Sequence, residues 1–371
     1  MQFKGVVGQT RLKQQLIDEV NNNKVSHAQM FLGKMGYGGL PLALAFVQYL
    51  FCEDKQATDS CGKCSSCRRI EKLEHPDLHF SYPTVQTISK ISTALIKEWR
   101  EQVLQQPYFN LNQWLKSIDE KERKPIISVL ESQEIIKKLT LKSFEGGYKV
   151  MIIWMSEEMN PQASNKLLKL IEEPAPKTLI ILLAESQDYI LQTILSRTQI
   201  TRIPSLEWDD ITNFLSSQRN IGSDIIESVA GRAEGDLVEA MELTNEDEED
   251  ENHTVFMQLM RVCYKKNVLD MIKWAEDIAI TSNENQKKFL QYALHMFRQS
   301  LLRNYTGDII TRVSEDEDAF LKNFAQFITG NNIQTMSESF SESYYHIERN
   351  ANSKILFTNL CFKVMRFIHE A

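Results

Sequence analysis

The chain lacks three things that would settle its class at once: a long apolar run, a basic excess, and cysteines spread along its length. No uninterrupted apolar stretch in its 371 residues reaches the ~18 that a membrane span needs. The first twenty residues alternate polar and apolar positions and contain nothing like the continuous hydrophobic segment of a secretory signal, so the expected location is cytoplasmic. Lys and Arg number 42 against 50 Asp and Glu, a formal net charge of -8. Proteins that grip nucleic acid unaided usually carry the opposite sign, because cations must displace the counterions. Residues 246–251 are all acidic and hold -6 of that charge, which leaves the rest of the chain at -2. Glycine (14) and proline (9) are too scarce for a fibrous or low-complexity chain. Apolar residues make up 42%, and the length suits two or three domains, each with its own core.

Runs of strand type occur at Gln29–Leu32, Leu78–Tyr82, Tyr148–Trp154, Thr178–Ala184 and Ile200–Ile203, with helical patterns between them, among them Leu40–Cys52 and Ala163–Glu172. Strands alternating with helices predict an α/β domain built on a parallel sheet. The interval from Val85 to Lys124 exceeds an ordinary connection and reads as an insertion with helices of its own. Beyond Pro204 the strand signals stop. Leu206–Leu243 reads as a small helical unit with a helix start at Ser223 and Asp224 and a stop at Gly231, and the acidic residues within 245–252 read as a solvated linker. From Thr254 onward the chain is helical, with Leu290, Leu294, Phe297 and Leu301 forming one apolar stripe.

Four motifs bear chemistry. Gly33-Lys34-Met35-Gly36-Tyr37-Gly38-Gly39-Leu40 follows a strand and opens a helix, as a phosphate-binding loop does. The lysine that would reach the β- and γ-phosphates is replaced by Gly39, and the hydroxyl residue that would hold Mg²⁺ by Leu40; Lys34 stands five positions too early to substitute. The loop therefore predicts a retained fold without nucleotide hydrolysis, and no functional ATP site. Cys52, Cys61, Cys64 and Cys67 form two overlapping C-x-x-C steps plus a fourth soft ligand, a set suited to one structural Zn²⁺, while Cys263 and Cys361 lie apart in apolar surroundings. Lys63, Arg68, Arg69 and Lys72 give that module a basic tint and read as exposed residues. The strand ending at Ile153 should be followed by Mg²⁺-orienting acids in an ATPase, yet Trp154 and Met155 occupy those positions; Glu157 and Glu158 come later and read as surface carboxylates. Finally, Arg197 in Ser196-Arg197-Thr198 stands before the last strand, where an arginine is either a surface residue or one that projects into a neighbouring subunit's phosphate site.

In this order the four motifs resemble the clamp-loader branch of the AAA+ proteins. The likeness extends over Val7-Gly8-Gln9, Ser26-His27-Ala28 and His75-Pro76-Asp77. Its most specific stretch runs from Asn160 to Pro174, containing Asn165-Lys166-Leu167-Leu168-Lys169 and Glu172-Glu173-Pro174, and it reaches Asn350–Phe357 near the C-terminus. The resemblance implies an AAA+ core with a zinc knuckle over residues 1–204, a small helical lid over 205–244, a linker over 245–252 and a helical collar over 253–371. It further implies a non-catalytic stator in a hetero-pentamer with γ/τ and δ subunits of a DNA polymerase holoenzyme, helping to load a sliding clamp onto primed DNA with no membrane involved. In that setting Arg197 becomes an arginine finger acting in trans. A γ/τ-like motor ATPase is the alternative within the branch, and it would require an arginine where Val238 stands; a zinc-dependent nucleic-acid-binding module is the alternative outside it.

Overall fold

The computed structural model describes residues 1–119, 123–218, 221–244, 246–307 and 313–369. The chain forms two compact units: Met1–Phe214 with Glu234–Glu239, and Leu215–Ala233 with Ala240–Ala371.

The first unit is built on five strands, β1 (Ala28–Leu32), β2 (Leu78–Ser81), β3 (Lys149–Ile153), β4 (Thr178–Ala184) and β5 (Gln199–Arg202). They pair in the order β2-β3-β4-β1-β5, every pair parallel. Its helices are α1 (Thr10–Asn21), α2 (Gly39–Phe51), α3 (Ser65–Glu71), α4 (Ile96–Gln105), α5 (Leu111–Ile118), α6 (Val129–Thr140), α7 (Pro161–Glu172) and α8 (Gln192–Leu195). A parallel sheet needs crossovers that cover both faces, so its central strands read as unbroken apolar runs; every residue of β1, β3 and β4 is buried. The strand period of two then splits the core. Phe31, Val150, Ile152, Leu179, Ile181 and Leu183 join the residues of α2 on one face, while Met30, Leu32, Met151, Ile153, Ile180 and Leu182 meet Ile135 of α6 and Leu167 of α7 on the other.

The expected insertion carries α4 and α5, with residues 120–122 outside the described part. It has no core of its own: Leu95, Trp99, Val103, Phe109 and Trp114 belong to the same cluster as Trp154 and the α2 residues. Capping fixes its second helix, since the Asn110 side chain accepts from Gln113 N–H while Gln113 returns a bond to the Asn110 N–H.

Three further helices follow the sheet, α9 (Trp208–Ser217), α10 (Ser223–Arg232) and α11 (Leu237–Leu243); Gly231 lies inside α10 and does not end it. The second unit continues with α12 (Glu246–Tyr264), α13 (Val268–Ala279), α14 (Asn283–Thr306), α15 (Glu315–Phe324), α16 (Ile333–Glu348) and α17 (Ser353–His369). The acidic residues from Glu246 onward, read above as linker, have helical backbone and open α12, and Asn245 lies outside the described residues. An apolar cluster that includes Phe256, Trp274, Phe289, Leu290, Phe297, Phe340 and Phe357 fills the bundle. Cys263 and Cys361 are both buried in it, the Cys263 thiol 3.4 Å from the Cys361 carbonyl oxygen.

Candidate functional site

Three N–H groups of the glycine loop that leaves β1 are engaged within the chain. Residues Met35–Tyr37 form a single 3₁₀ turn, in which Tyr37 N–H donates to Lys34 O at 2.9 Å and Gly38 N–H to Met35 O at 3.2 Å. The Met35 N–H donates to the Glu185 carboxylate at 2.9 Å. Gly36 is sealed from above, because a β-carbon there would fall 1.6 Å from Asp236 Oδ1. That oxygen also accepts from the N–H groups of Val238 (3.0 Å) and Glu239 (3.2 Å). Gly38, at φ 91°, lies under the ring of Tyr108, whose hydroxyl accepts from Val7 N–H at 2.8 Å. Burial raises the Asp236 pKa above the ordinary carboxylate value. Lys34 Nζ stands 3.9 Å from Asp236 Oδ2. Burial alone would lower the lysine's pKa, but Asp236, then Glu239, Tyr37 and Glu185, outweigh it and hold the ammonium above its usual value.

At the end of β3, Trp154 is fully buried, its ring 4.9 Å from Phe109 and 5.4 Å from Trp99. The insertion thus supplies the apolar wall that an acid at this position could not tolerate. Glu157 is no plain surface residue, contrary to the expectation from sequence. Its Oε1 accepts from Glu185 N–H at 2.7 Å, its Oε2 is buried without a partner, and its pKa is pushed up to about 7, chiefly by burial and further by the like charges of Glu185 and Glu158. Two carboxylate-to-amide bonds, Glu157 to Glu185 and Glu185 to Met35, therefore link the ends of β3 and β4 to the glycine loop.

The four clustered cysteines converge as their spacing predicts. Their sulfurs all lie within 4.8 Å of one another, with Cys61 and Cys67 at 3.9 Å. A ZnS₄ tetrahedron has edges of about 3.8 Å, given Zn–S bonds of ~2.3 Å, so this donor set fits the ion. Cys52 caps the C-terminus of α2 and Cys64 the N-terminus of α3. Backbone N–H groups point at three of the sulfurs: Cys61 to Cys52 Sγ (3.2 Å), Cys64 to Cys61 Sγ (3.3 Å) and Cys67 to Cys64 Sγ (3.4 Å). Such bonds from Lys63 and Cys64 lower the Cys61 thiol to about 6, whereas burial raises Cys52 and Cys67.

His75 and Asp77 show their work only in three dimensions. The Asp77 carboxylate accepts from Phe144 N–H (2.7 Å), Glu145 N–H (3.1 Å) and the Ser143 hydroxyl (3.3 Å). His75 Nε2 lies 3.1 Å from Glu145 Oε2, and Arg69 Nη2 lies 2.5 Å from Glu145 Oε1. The expectation that Arg69 is simply exposed fails here, since this arginine ties the cysteine module to the loop that leads into β3. No spacing rule could have found Glu145, which lies 70 residues from His75.

Arg197 lies just beyond α8 and is exposed. Its Nη1 donates to Thr193 O (3.1 Å) and to the Ser196 hydroxyl (3.2 Å), and its Nη2 lies 3.4 Å from Glu172 Oε1. Among the described residues no helix is long and apolar enough to cross a membrane.

The family model described as "DNA polymerase III, delta subunit" matches residues 8–207. The chain is 28% identical over 258 residues to the DNA polymerase III subunit delta' of Bacillus subtilis, an alignment that takes in 70% of this chain and 66% of that one. It is also 28% identical over 189 residues to the delta' subunit of Pseudomonas aeruginosa, covering 49% of this chain and 46% of that one. The DNA polymerase III subunit tau of Bacillus subtilis aligns with 100% of the chain at 22% identity, over 62% of its own length. The chain thus spans less than two thirds of the length of each of these relatives.

Proposed function

The chain belongs to the DNA polymerase III delta-subunit family, and from that premise we propose that it is the δ′ stator of a clamp loader, a subunit that keeps the AAA+ scaffold, has given up ATP chemistry, and assists a neighbour's. One observation carries this reading. The Tyr37, Gly38 and Met35 N–H groups of the glycine loop go to Lys34 O, Met35 O and the Glu185 carboxylate, and Asp236 seals Gly36, so a triphosphate would meet carboxylates beside the loop and fewer donors than it needs. Trp154 in an aromatic wall and Val238 in place of an arginine point the same way. A motor ATPase would need each of these changes reversed.

In this role Arg197 enters the ATP site of an adjacent γ/τ subunit and stabilises charge developing on the γ-phosphate. Its exposure on the rim after α8 supports that use. Cys52, Cys61, Cys64 and Cys67 would hold a structural Zn²⁺, since four thiolates fill a tetrahedral sphere and leave no position for substrate. Arg69, through Glu145 and His75, then joins the zinc knuckle to the core. Residues 205–244 act as the lid and 253–371 as the collar through which δ and γ/τ subunits assemble. Sliding clamp and primed DNA are met by the complex rather than by this acidic chain alone.

The test has two arms. Isothermal titration of the purified chain with ATP-Mg²⁺ gives no binding at micromolar concentration, and turnover by the chain alone would sink the proposal. In the reconstituted complex, Arg197→Ala leaves assembly intact and lowers the ATPase rate about 10³-fold at the site it serves.

A further inference from the structure

Arg197 does not wait unpaired. Each end of its guanidinium is engaged by this chain: Nη1 by Thr193 O at 3.1 Å and the Ser196 hydroxyl at 3.2 Å, Nη2 by Glu172 Oε1 at 3.4 Å. Glu172 is the last residue of α7 and the first acid of the Glu172-Glu173-Pro174 stretch. The helix end that bears it is itself tied down, since His27 Nε2 lies 2.9 Å from Ile171 O. The side chains of Arg197 and Glu172 are 36% and 55% exposed, so the pair sits at the surface and can be opened from outside. A phosphate oxygen arriving from a neighbour at the Nη2 edge meets the Glu172 carboxylate already held 3.4 Å from it, and two anions on one edge of the guanidinium repel each other, so the carboxylate must give way for the phosphate to take its place.

We propose that Glu172 is a positioning residue that holsters Arg197, holding the finger against α8 until a partner's phosphate displaces the carboxylate. The inference rests on the trans-acting role given to Arg197 above. Engagement of the neighbour's nucleotide then carries the cost of breaking one surface ion pair. Such pairs are weak and screened by salt, which makes the exchange reversible and bounds the effect. Removing the holster therefore speeds the partner's chemistry and does not impair it.

The experiment is a double-mutant cycle in the reconstituted clamp-loader complex, with kcat and KM for ATP measured separately at low and high salt. Glu172→Gln is expected to raise kcat/KM about two- to fivefold, the span of a surface pair. Glu172→Asp returns it toward wild type, and the gain disappears in roughly 0.5 M salt. In an Arg197→Ala background, Glu172→Gln changes nothing. An unchanged or reduced kcat/KM in Glu172→Gln, or a gain that persists without Arg197, overturns the holster while leaving the finger in place. If Arg197→Ala itself leaves kcat/KM unaltered, the finger reading falls and the holster with it.

Discussion

Replacing Glu157 by glutamine tests the half-buried carboxylate at the end of β3. In the folded chain this group titrates at about 7 instead of 4.5, because burial disfavours the anion and Glu185 and Glu158 add like charge, against the backbone N–H bonds from Glu185 and from Glu157 itself. The sign follows from linkage. The folded pKa lies above the unfolded one, so between pH 4.5 and about 7 the unfolded chain holds fewer protons, and stability falls as pH rises through that window. Below the window both states are protonated and the penalty vanishes; above it the penalty is complete. At 1.36 kcal/mol per pH unit the shift corresponds to roughly 3 kcal/mol, an upper bound given partial access of water. Glutamine keeps the shape and an oxygen for the Glu185 N–H but removes the charge. Glu157→Gln is therefore expected to stabilise the first unit by about 1–3 kcal/mol at pH 8 and by less than about 0.5 kcal/mol at pH 4. Hydrogen exchange of the β3 and β4 amides in the full chain reads this directly, since it reports the first unit by itself. An equal effect at both pH values, or a less stable variant at pH 8, would refute the reasoning.

Three other outcomes follow from the same geometry. Metal analysis of protein purified without chelators should find about one Zn²⁺ per chain, and Cys64→Ser should lose it together with exchange protection in α3; metal-free wild-type protein would remove the zinc assignment. Trp154→Asp, which restores an acid after β3, should produce no ATPase and cost roughly 4 kcal/mol or more, because the carboxylate would be buried against Trp99 and Phe109; measurable turnover with unchanged thermal stability would contradict this. Tyr108→Phe removes the acceptor of the Val7 N–H and should cost about 1 kcal/mol, seen as roughly fivefold faster exchange at that amide. Unchanged exchange there would show that the hydroxyl does not hold the N-terminal segment.

What could be read from the residues alone was whatever depends on neighbours along the chain. The strands were legible because a sheet covered on both faces demands continuous apolar runs, and Thr178–Ala184 is recovered to the residue. The cysteine cluster was legible because two C-x-x-C steps force sulfurs together whatever surrounds them. The missing Lys, Thr and acid at Gly39, Leu40 and Trp154 needed no coordinates either. Contacts across long separations were not legible. Asp236 reaches Gly36 from 200 residues away, Glu185 reaches Met35 from 150, and Glu145 meets His75 across 70. Carboxylates in polar local sequence look like surface residues, and the acidic run opening α12 looks like linker, because composition reports solvation preference but not which backbone donor or helix end a side chain meets.

The sequence by itself determined that this chain carries a parallel α/β core, a cluster of four cysteines and a glycine-rich loop after the first strand with Gly39 and Leu40 where a phosphate-binding loop has its lysine and hydroxyl residue. Only the tertiary structure decided what became of that loop. The fold brings Asp236, Glu185 and Tyr108 onto it from distant segments, engages its Met35, Tyr37 and Gly38 N–H groups, and leaves Arg197 beside Glu172 at the surface. The physical reason is that the identity of a loop residue is written at its own position, whereas the carboxylates of Asp236 and Glu185 that meet the loop come from segments 200 and 150 residues away, which only the folded chain brings to it.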